Sequence, residues 1–245
     1  MADATITYLQ NTGDGTNLST YTFASQNFGT ASADRHIICT VCGRSSDGGA
    51  RTITSVTIGG TTAAENVDTT SSGNVCGIYI AAVPTGTSGN VVVVFNTTMG
   101  NADIALYSTT GVGSTTATDS GTSTSNPLTY ALDVVAGGIA VAIATSDNGA
   151  ATATWAGLTE RFDDATTGGN DKSGASDAFA TTQTNLTVSC TWTGSTRPLY
   201  AAASFPPVTA SGPANLLKLS TNAKANISKV STNPIANILK ISTNA

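Results

Sequence analysis

The chain alternates short runs of Val, Ile, Thr, Tyr and Phe with clusters of Gly, Asn, Asp and Ser, at intervals of roughly 10 to 15 residues. In several runs apolar and polar positions alternate, as in Val188, Cys190 and Trp192, which is typical of a strand with one buried face. Helical periodicity is absent from these runs. The pattern predicts strands over Thr5–Leu9, Thr20–Phe28, His36–Arg44, Thr52–Ile58, Val75–Val83, Asn90–Asn96, Asp103–Ser108, Leu128–Val134, Ile139–Ser146, Ala151–Leu158, Ala175–Thr181, Thr187–Thr193 and Pro198–Phe205.

So many short strands, without a parallel β-α-β signal, predict an all-β fold. The economical arrangement is an antiparallel β-sandwich of jelly-roll or Greek-key type, made of two packed sheets. A chain of 245 residues is long enough for one large domain of this kind. We expect the sandwich to cover 1–207.

A different pattern follows Pro207. Residues 208–213 are predicted to be a linker, and 214–245 hold three copies of one unit: ANLLKLSTNAK, ANISKVSTNPI and ANILKISTNA. A unit this short cannot bury a face alone, so it must stack on neighbouring copies or on other chains. We therefore expect a homo-oligomer, with a trimer as the first candidate. The predicted oligomer and anchor residues are Leu217, Leu219, Ile227, Val230, Ile238, Ile241, Lys218, Lys229 and Lys240.

The conformation of the repeats has two interpretations. An eleven-residue period fits a right-handed helical supercoil. However, each copy carries Ser, Thr and two Asn, and Pro234 would break a continuous helix. We favour a short β-repeat, with a strand followed by a Ser-Thr-Asn turn, and keep the helix as the alternative.

Charge divides the chain near the same place. Residues through Asp177 carry five bases and fifteen acids, whereas the remainder carries five bases and no acid. The net charge of -5 gives little support to a nucleic-acid partner. The basic tail suits an acidic protein surface. Alternatively, the lysines only protect the edges of a repetitive strand from aggregation.

No membrane association or export is expected. The longest low-polarity stretch, Val134–Thr145, is shorter than the roughly 20 residues that cross a bilayer. The first residues, MADATITYLQNTG, lack the features of a secretory signal, so we expect the protein to be made and assembled in the cytoplasm.

The four cysteines should then stay reduced. Cys39 and Cys42 are expected on opposite faces of one strand, as small buried hydrophobes rather than metal ligands. Pairing of Cys76 with Cys190 across sheets is the alternative to four free thiols.

Residues suited to catalysis are scarce. His36 is the single histidine, and the chain has no Gly-x-Ser-x-Gly elbow, His-Glu-x-x-His pair or phosphate-binding glycine loop. We expect a protein that is not an enzyme and needs no cofactor or metal. Asp163-Asp164 with Asn170-Asp171 is the best calcium candidate, although it matches no EF-hand. Trp155 and Trp192 are predicted to pack in the core rather than to stack on sugars.

Three stretches carry a resemblance to a known group of proteins. The run RTITSVTI at Arg51–Ile58 and the closing stretch Thr154–Pro207 are similar to sandwich modules of tailed-bacteriophage virion proteins. ANISKVSTN resembles the ANIAKVNGV-type repeats at the ends of phage structural proteins, with Ser-Thr-Asn in place of Asn-Gly-Val.

The resemblance implies a non-enzymatic virion structural protein. The first hypothesis is a capsid decoration, cement or head-fibre subunit that contacts other virion proteins, notably the major capsid protein. The alternatives are a tail-fibre or receptor-binding module that holds glycan and, more weakly, an extracellular filament subunit. A missing export signal disfavours the filament.

Overall fold

The computed structural model describes residues 3–147, 152–165 and 170–209. The prediction of an all-β antiparallel sandwich is confirmed for this part of the chain, in which every regular element is a strand. The repeats of 214–245, with all nine predicted oligomer and anchor residues, lie outside the described residues, so their conformation and role stay predictions. Among the described residues, no helix is long and apolar enough to cross a membrane.

The first half of the fold, called the N half, contains nine strands: β1 (Thr5–Asp14), β2 (Leu18–Asn27), β3 (His36–Arg44), β4 (Ile53–Ile58), β5 (Thr61–Thr62), β6 (Ala64–Ser71), β7 (Asn74–Ala82), β8 (Ser88–Met99) and β9 (Asn101–Thr110). They form an inner N sheet with the order β1-β9-β3-β7-β6 and an outer N sheet with the order β2-β8-β4-β5. Every strand pair is antiparallel.

The C half contains eight strands: β10 (Asp119–Ser123), β11 (Leu128–Val134), β12 (Ile139–Ser146), β13 (Ala153–Ala156), β14 (Glu160–Ala165), β15 (Asp171–Ala178), β16 (Gln183–Trp192) and β17 (Leu199–Phe205). The inner C sheet has the order β10-β17-β12-β15-β14, and the outer C sheet has the order β11-β16-β13.

The four sheets stack as four layers, which corrects the expectation of two. One apolar cluster joins the outer and inner N sheets, a second joins the two inner sheets, and a third joins the inner and outer C sheets. Both faces of each inner sheet are therefore covered. This explains why β3, β7, β12 and β17 are buried along almost their whole length instead of alternating.

The two halves share one topology. The eight strands of the C half correspond, in chain order, to the strands of the N half other than β5. With this correspondence the two inner sheets have the same strand order, and so do β2-β8-β4 and the outer C sheet; β5 is an addition to the N half. The chain repeats S-D-x-G-A-x-T-x-T at 46–54 and, one hundred residues later, at 146–154. In both copies the first Thr of the segment makes the same type of interaction: Thr52 pairs with Asn96, and Thr152 pairs with Thr193.

The residues that follow β17 pair with the segment that connects the two halves. Val112 and Pro207 form an isolated antiparallel bridge, and the Val208 N–H donates to the Gly111 carbonyl at 2.7 Å. The segment between the halves is therefore fixed to the residues that follow β17.

Candidate functional site

An open pocket lies where β3 ends and β9 begins. It has a volume of about 220 Å³ and is lined by Asn17, Arg44, Ser45, Ser46, Gly100 and Asn101. Two hydrogen bonds fix its wall: the Arg44 backbone N–H donates to the Asn101 side-chain Oδ1 at 2.9 Å, and the Gly100 N–H donates to the Arg44 carbonyl at 2.7 Å. We call it the Arg44 pocket.

The loop that carries Asn17 is held in place by its own hydrogen bonds. The Asp14 carboxylate accepts from the backbone N–H and the hydroxyl of Thr16, at 2.9 and 2.6 Å. The buried Tyr21 hydroxyl donates to the Thr16 carbonyl at 2.6 Å. Burial, as the largest cause, raises the pKa of Tyr21, so this hydroxyl stays a donor at neutral pH. The pocket is thus formed in advance of any ligand.

Ser45 adds an unused polar group to the pocket. The residue is 2% exposed, and its hydroxyl oxygen has no hydrogen-bond partner among the described residues. A buried hydroxyl without a partner costs free energy. The donors and acceptors that the pocket offers to a ligand come from Arg44, Asn17 and Asn101.

Behind the pocket, one carboxylate lies between two arginines. The Asp147 side chain is 2% exposed, with Arg44 Nε at 3.8 Å from Oδ2 and an Arg197 guanidinium nitrogen in direct contact with the same oxygen. Arg197 also donates to the Ser72 carbonyl at 2.9 Å, and Asn74 donates to the Arg197 carbonyl at 3.0 Å. These bonds tie the loop before β17 to the N half.

A second buried ion pair crosses between the inner sheets. Lys172 Nζ on β15 lies 2.8 Å from Asp103 Oδ1 on β9, with side chains 6% and 3% exposed. A Cβ atom at Gly13 on β1 would clash with this oxygen, so the glycine makes room for the pair. Burial raises the pKa of Asp103, and Lys172 acts in the opposite direction. Desolvation therefore outweighs the attraction of the ammonium group.

The proposed calcium ligands do not converge. Asp163 accepts from the Ala153 N–H at 3.0 Å, towards the outer C sheet, whereas Asp164 accepts from Asn11 on β1 of the N half. Successive residues of a strand point to opposite faces, which explains the divergence. No group of three or more His, Cys, Asp or Glu side chains among the described residues has the geometry of a metal site.

Both tryptophans pack inside the C half, as predicted. Trp192 is 2% exposed in the core between the inner and outer C sheets. Trp155 is half-buried, donates from Nε1 to Ser173 Oγ at 2.7 Å and lies 6.1 Å from the Tyr200 ring.

His36 begins β3 and accepts, through its carbonyl, a hydrogen bond from Thr109 Oγ1 at 3.2 Å. The described structure places this histidine at the end of β3 opposite to Arg44, so it does not contribute to the Arg44 pocket.

The four cysteines are distributed over the three apolar clusters. Cys39 and Cys42 lie on opposite faces of β3, as predicted. The alternative pairing of Cys76 with Cys190 is wrong, because Cys76 lies between the inner sheets and Cys190 lies between the inner and outer C sheets. Cys76 instead faces Cys42 on the adjacent strand, with 3.0 Å between the sulfurs.

Sequence reasoning missed the Arg44 pocket. Its residues come from three separate connections, and none belongs to a known catalytic or ligand-binding motif. The available signal was the repeated S-D-x-G-A-x-T-x-T segment, because one copy begins beside the pocket and the other contains Asp147. No family model, no curated protein and no solved structure matches the chain.

Proposed function

We propose that this protein is a non-enzymatic structural subunit of a bacteriophage virion, and that it decorates the capsid. One observation carries the proposal: in residues 3–209, which we call the body, every basic side chain is already bound to a group of the same chain. Five of the six basic side chains in 3–209 are bound to carboxylates, and the sixth, Arg35, is bound to backbone carbonyls.

The surface of the body is consequently acidic. Glu65, Asp133, Glu160 and Asp164 are exposed, while the basic groups are occupied. Such a surface repels phosphate backbones, which supports a protein partner rather than nucleic acid. The four lysines of the repeat segment offer the complementary charge for docking.

The four-layer body and the repeats then have different roles: the body is a self-contained fold, and the repeats form the oligomer. The body needs no partner to cover its inner sheets, because each is already covered on both faces. The repeats have too few apolar positions per copy to form a core alone, which supports trimerisation on the particle through their apolar and lysine positions.

Deleting Ala214–Ala245 should leave a folded body that no longer joins virions. The body keeps all three apolar clusters, so its melting temperature should be unchanged, whereas its anchor is lost. Occupancy on particles assembled without the endogenous chain is measured by quantitative mass spectrometry, and the position of the full chain by electron cryomicroscopy.

The matched control replaces Lys218, Lys229 and Lys240 with Gln and keeps every apolar repeat position. Weaker incorporation of this variant, with an unchanged oligomer in light scattering, assigns the docking to charge. Normal occupancy of the truncated protein would refute the anchor, and location of the full chain on the tail would refute capsid decoration.

The Arg44 pocket favours a second candidate function, receptor binding through glycan. Its volume and its mixture of Arg, Asn and Ser side chains suit one hydroxyl-rich sugar unit held by hydrogen bonds.

Replacing the exposed Asn17 with Trp should block the pocket without removing the Arg44 contact to Asp147. If the pocket holds glycan, binding on an array of host surface glycans should fall at least about tenfold, equivalent to about 1.4 kcal/mol. Thr129→Trp, an exposed change on the outer C sheet, serves as the control. Equal binding by both variants would exclude the pocket as the glycan site.

A further inference from the structure

We infer that Cys42 and Cys76 are a site of covalent modification, at which a low-molecular-weight disulfide such as oxidised glutathione forms a cross-strand disulfide during folding. The two residues are register partners on the adjacent antiparallel strands β3 and β7. Their sulfurs are 3.0 Å apart, and all four cysteines of the chain are free thiols in this structure.

The backbone geometry fits the bond. Directly opposed residues on antiparallel strands have Cα atoms about 4.5 to 5.5 Å apart and side chains on the same face. A disulfide requires a Cα separation of roughly 4.4 to 6.8 Å, so the sheet need not move to accommodate it. Cys39 and Cys190 lack this relationship, because each belongs to a different apolar cluster.

Burial of both thiols limits disulfide formation to a stage before folding is complete. Cys42 is 2% exposed and Cys76 is 0% exposed, in the apolar cluster between the inner sheets. Burial raises the pKa of the Cys42 thiol well above its ordinary value, and the hydrogen bond to Cys76 acts in the same direction. A protonated, buried thiol does not attack a disulfide, so the folded protein should be inert and the pair should react before the layers close.

The chemistry balances through thiol-disulfide exchange. One cysteine thiolate attacks oxidised glutathione, which breaks its S–S bond, forms a mixed disulfide and releases one glutathione thiol. The second cysteine thiolate attacks the mixed disulfide, which forms the Cys42–Cys76 bond and releases the second glutathione thiol. Two cysteine sulfurs are oxidised, two glutathione sulfurs are reduced, and both protons end on glutathione.

The bond would close a loop between residues 34 positions apart. A loop of this size removes enough conformational freedom from the unfolded chain to raise the melting temperature by on the order of 10 °C in a protein of this length. The same closed layers that exclude oxidant also exclude reductant, so the folded protein retains the disulfide or dithiol state that was set during folding.

The experiment uses the full chain with Cys39 and Cys190 replaced by Ser, so that only the pair remains. One sample is exposed to oxidised glutathione when folded, and a second is unfolded in denaturant and refolded with the same reagent. Thiols are then alkylated under denaturing conditions and counted by intact mass. We expect two alkylated thiols in the first sample and none in the second, with the higher melting temperature only in the second.

Cys42→Ala and Cys76→Ala, each in the same background, provide the controls. After refolding with oxidised glutathione, each should carry one glutathione adduct on its remaining cysteine, which is the trapped first intermediate. Two free thiols after refolding of the paired protein would overturn the inference. Rapid oxidation of the folded sample would overturn the step that depends on burial.

Discussion

Replacing Lys172 with Met is expected to destabilise the protein by about 3 to 5 kcal/mol, because it leaves the Asp103 carboxylate buried without its cation. Removing both charges, in Asp103→Leu with Lys172→Met, should restore most of this loss, since desolvation already outweighs attraction in the pair. Chemical denaturation of the wild type, both single variants and the double variant measures the coupling as a double-mutant cycle.

The pH dependence of Lys172→Met has a definite sign. Burial raises the pKa of Asp103 in the folded state, and loss of the ammonium group raises it further. Between the unfolded and folded pKa values the folded state binds more protons, so stability falls as pH rises through this window. The variant should therefore lose more stability at pH 8 than at pH 5. A penalty that grows on acidification, or a double variant less stable than Lys172→Met, would contradict this account.

Every central strand was predicted from the sequence, whereas four of the eight edge strands were missed. The strands that sequence reasoning missed are β5, β6, β10 and β14, and each lies at the edge of its sheet. Their sequences, such as AENVDTTS and DSGTS, are polar because an edge strand is less covered. A periodicity argument depends on a buried face, so it fails where that face is small.

The additional layers could have been predicted from strands that are apolar at every position, which differ from strands with alternating apolar and polar residues. In β12, Ile139, Val141 and Ile143 face the inner N sheet, whereas the alanines between them face the outer C sheet. A run that is apolar at every position indicates a strand covered on both sides. The sequence IAVAIA therefore pointed to an additional layer beyond a simple two-sheet sandwich.

The candidate site was harder to predict for a different reason. Asp147 meets Arg44 only because the two halves pack together, whereas Arg197 contacts Asp147 from another loop of the same half; all three residues are far apart in the chain. Neither spacing nor composition encodes a contact between loops of different halves. By contrast, the opposite orientation of Cys39 and Cys42 follows from the period of a single strand, and it was predicted correctly.

At the other end of the N half, Arg35 is fully buried and joins two loops to the start of β3. Its Nε donates to the Val83 carbonyl at 2.7 Å. The terminal nitrogens donate to four further carbonyls, those of Phe28, Gly29, Thr85 and Gly86, at 2.7 to 3.1 Å. An arginine has five N–H donors, and here all five are used.

Replacing Arg35 with Ala is expected to destabilise the protein by about 4 kcal/mol or more, because five carbonyls lose a charged donor in a site that is closed to water. The melting temperature should fall by on the order of 10 °C. Arg35→Lys keeps the charge but supplies three donors without the planar fork, so its loss should be intermediate. Arg161→Ala is the matched control, because this arginine is part-exposed in its pair with Asp177 and should cost about 1 kcal/mol or less. Equal stability of the Arg35→Ala and Arg161→Ala variants in thermal and denaturant unfolding would show that the carbonyl cluster does not depend on the guanidinium group.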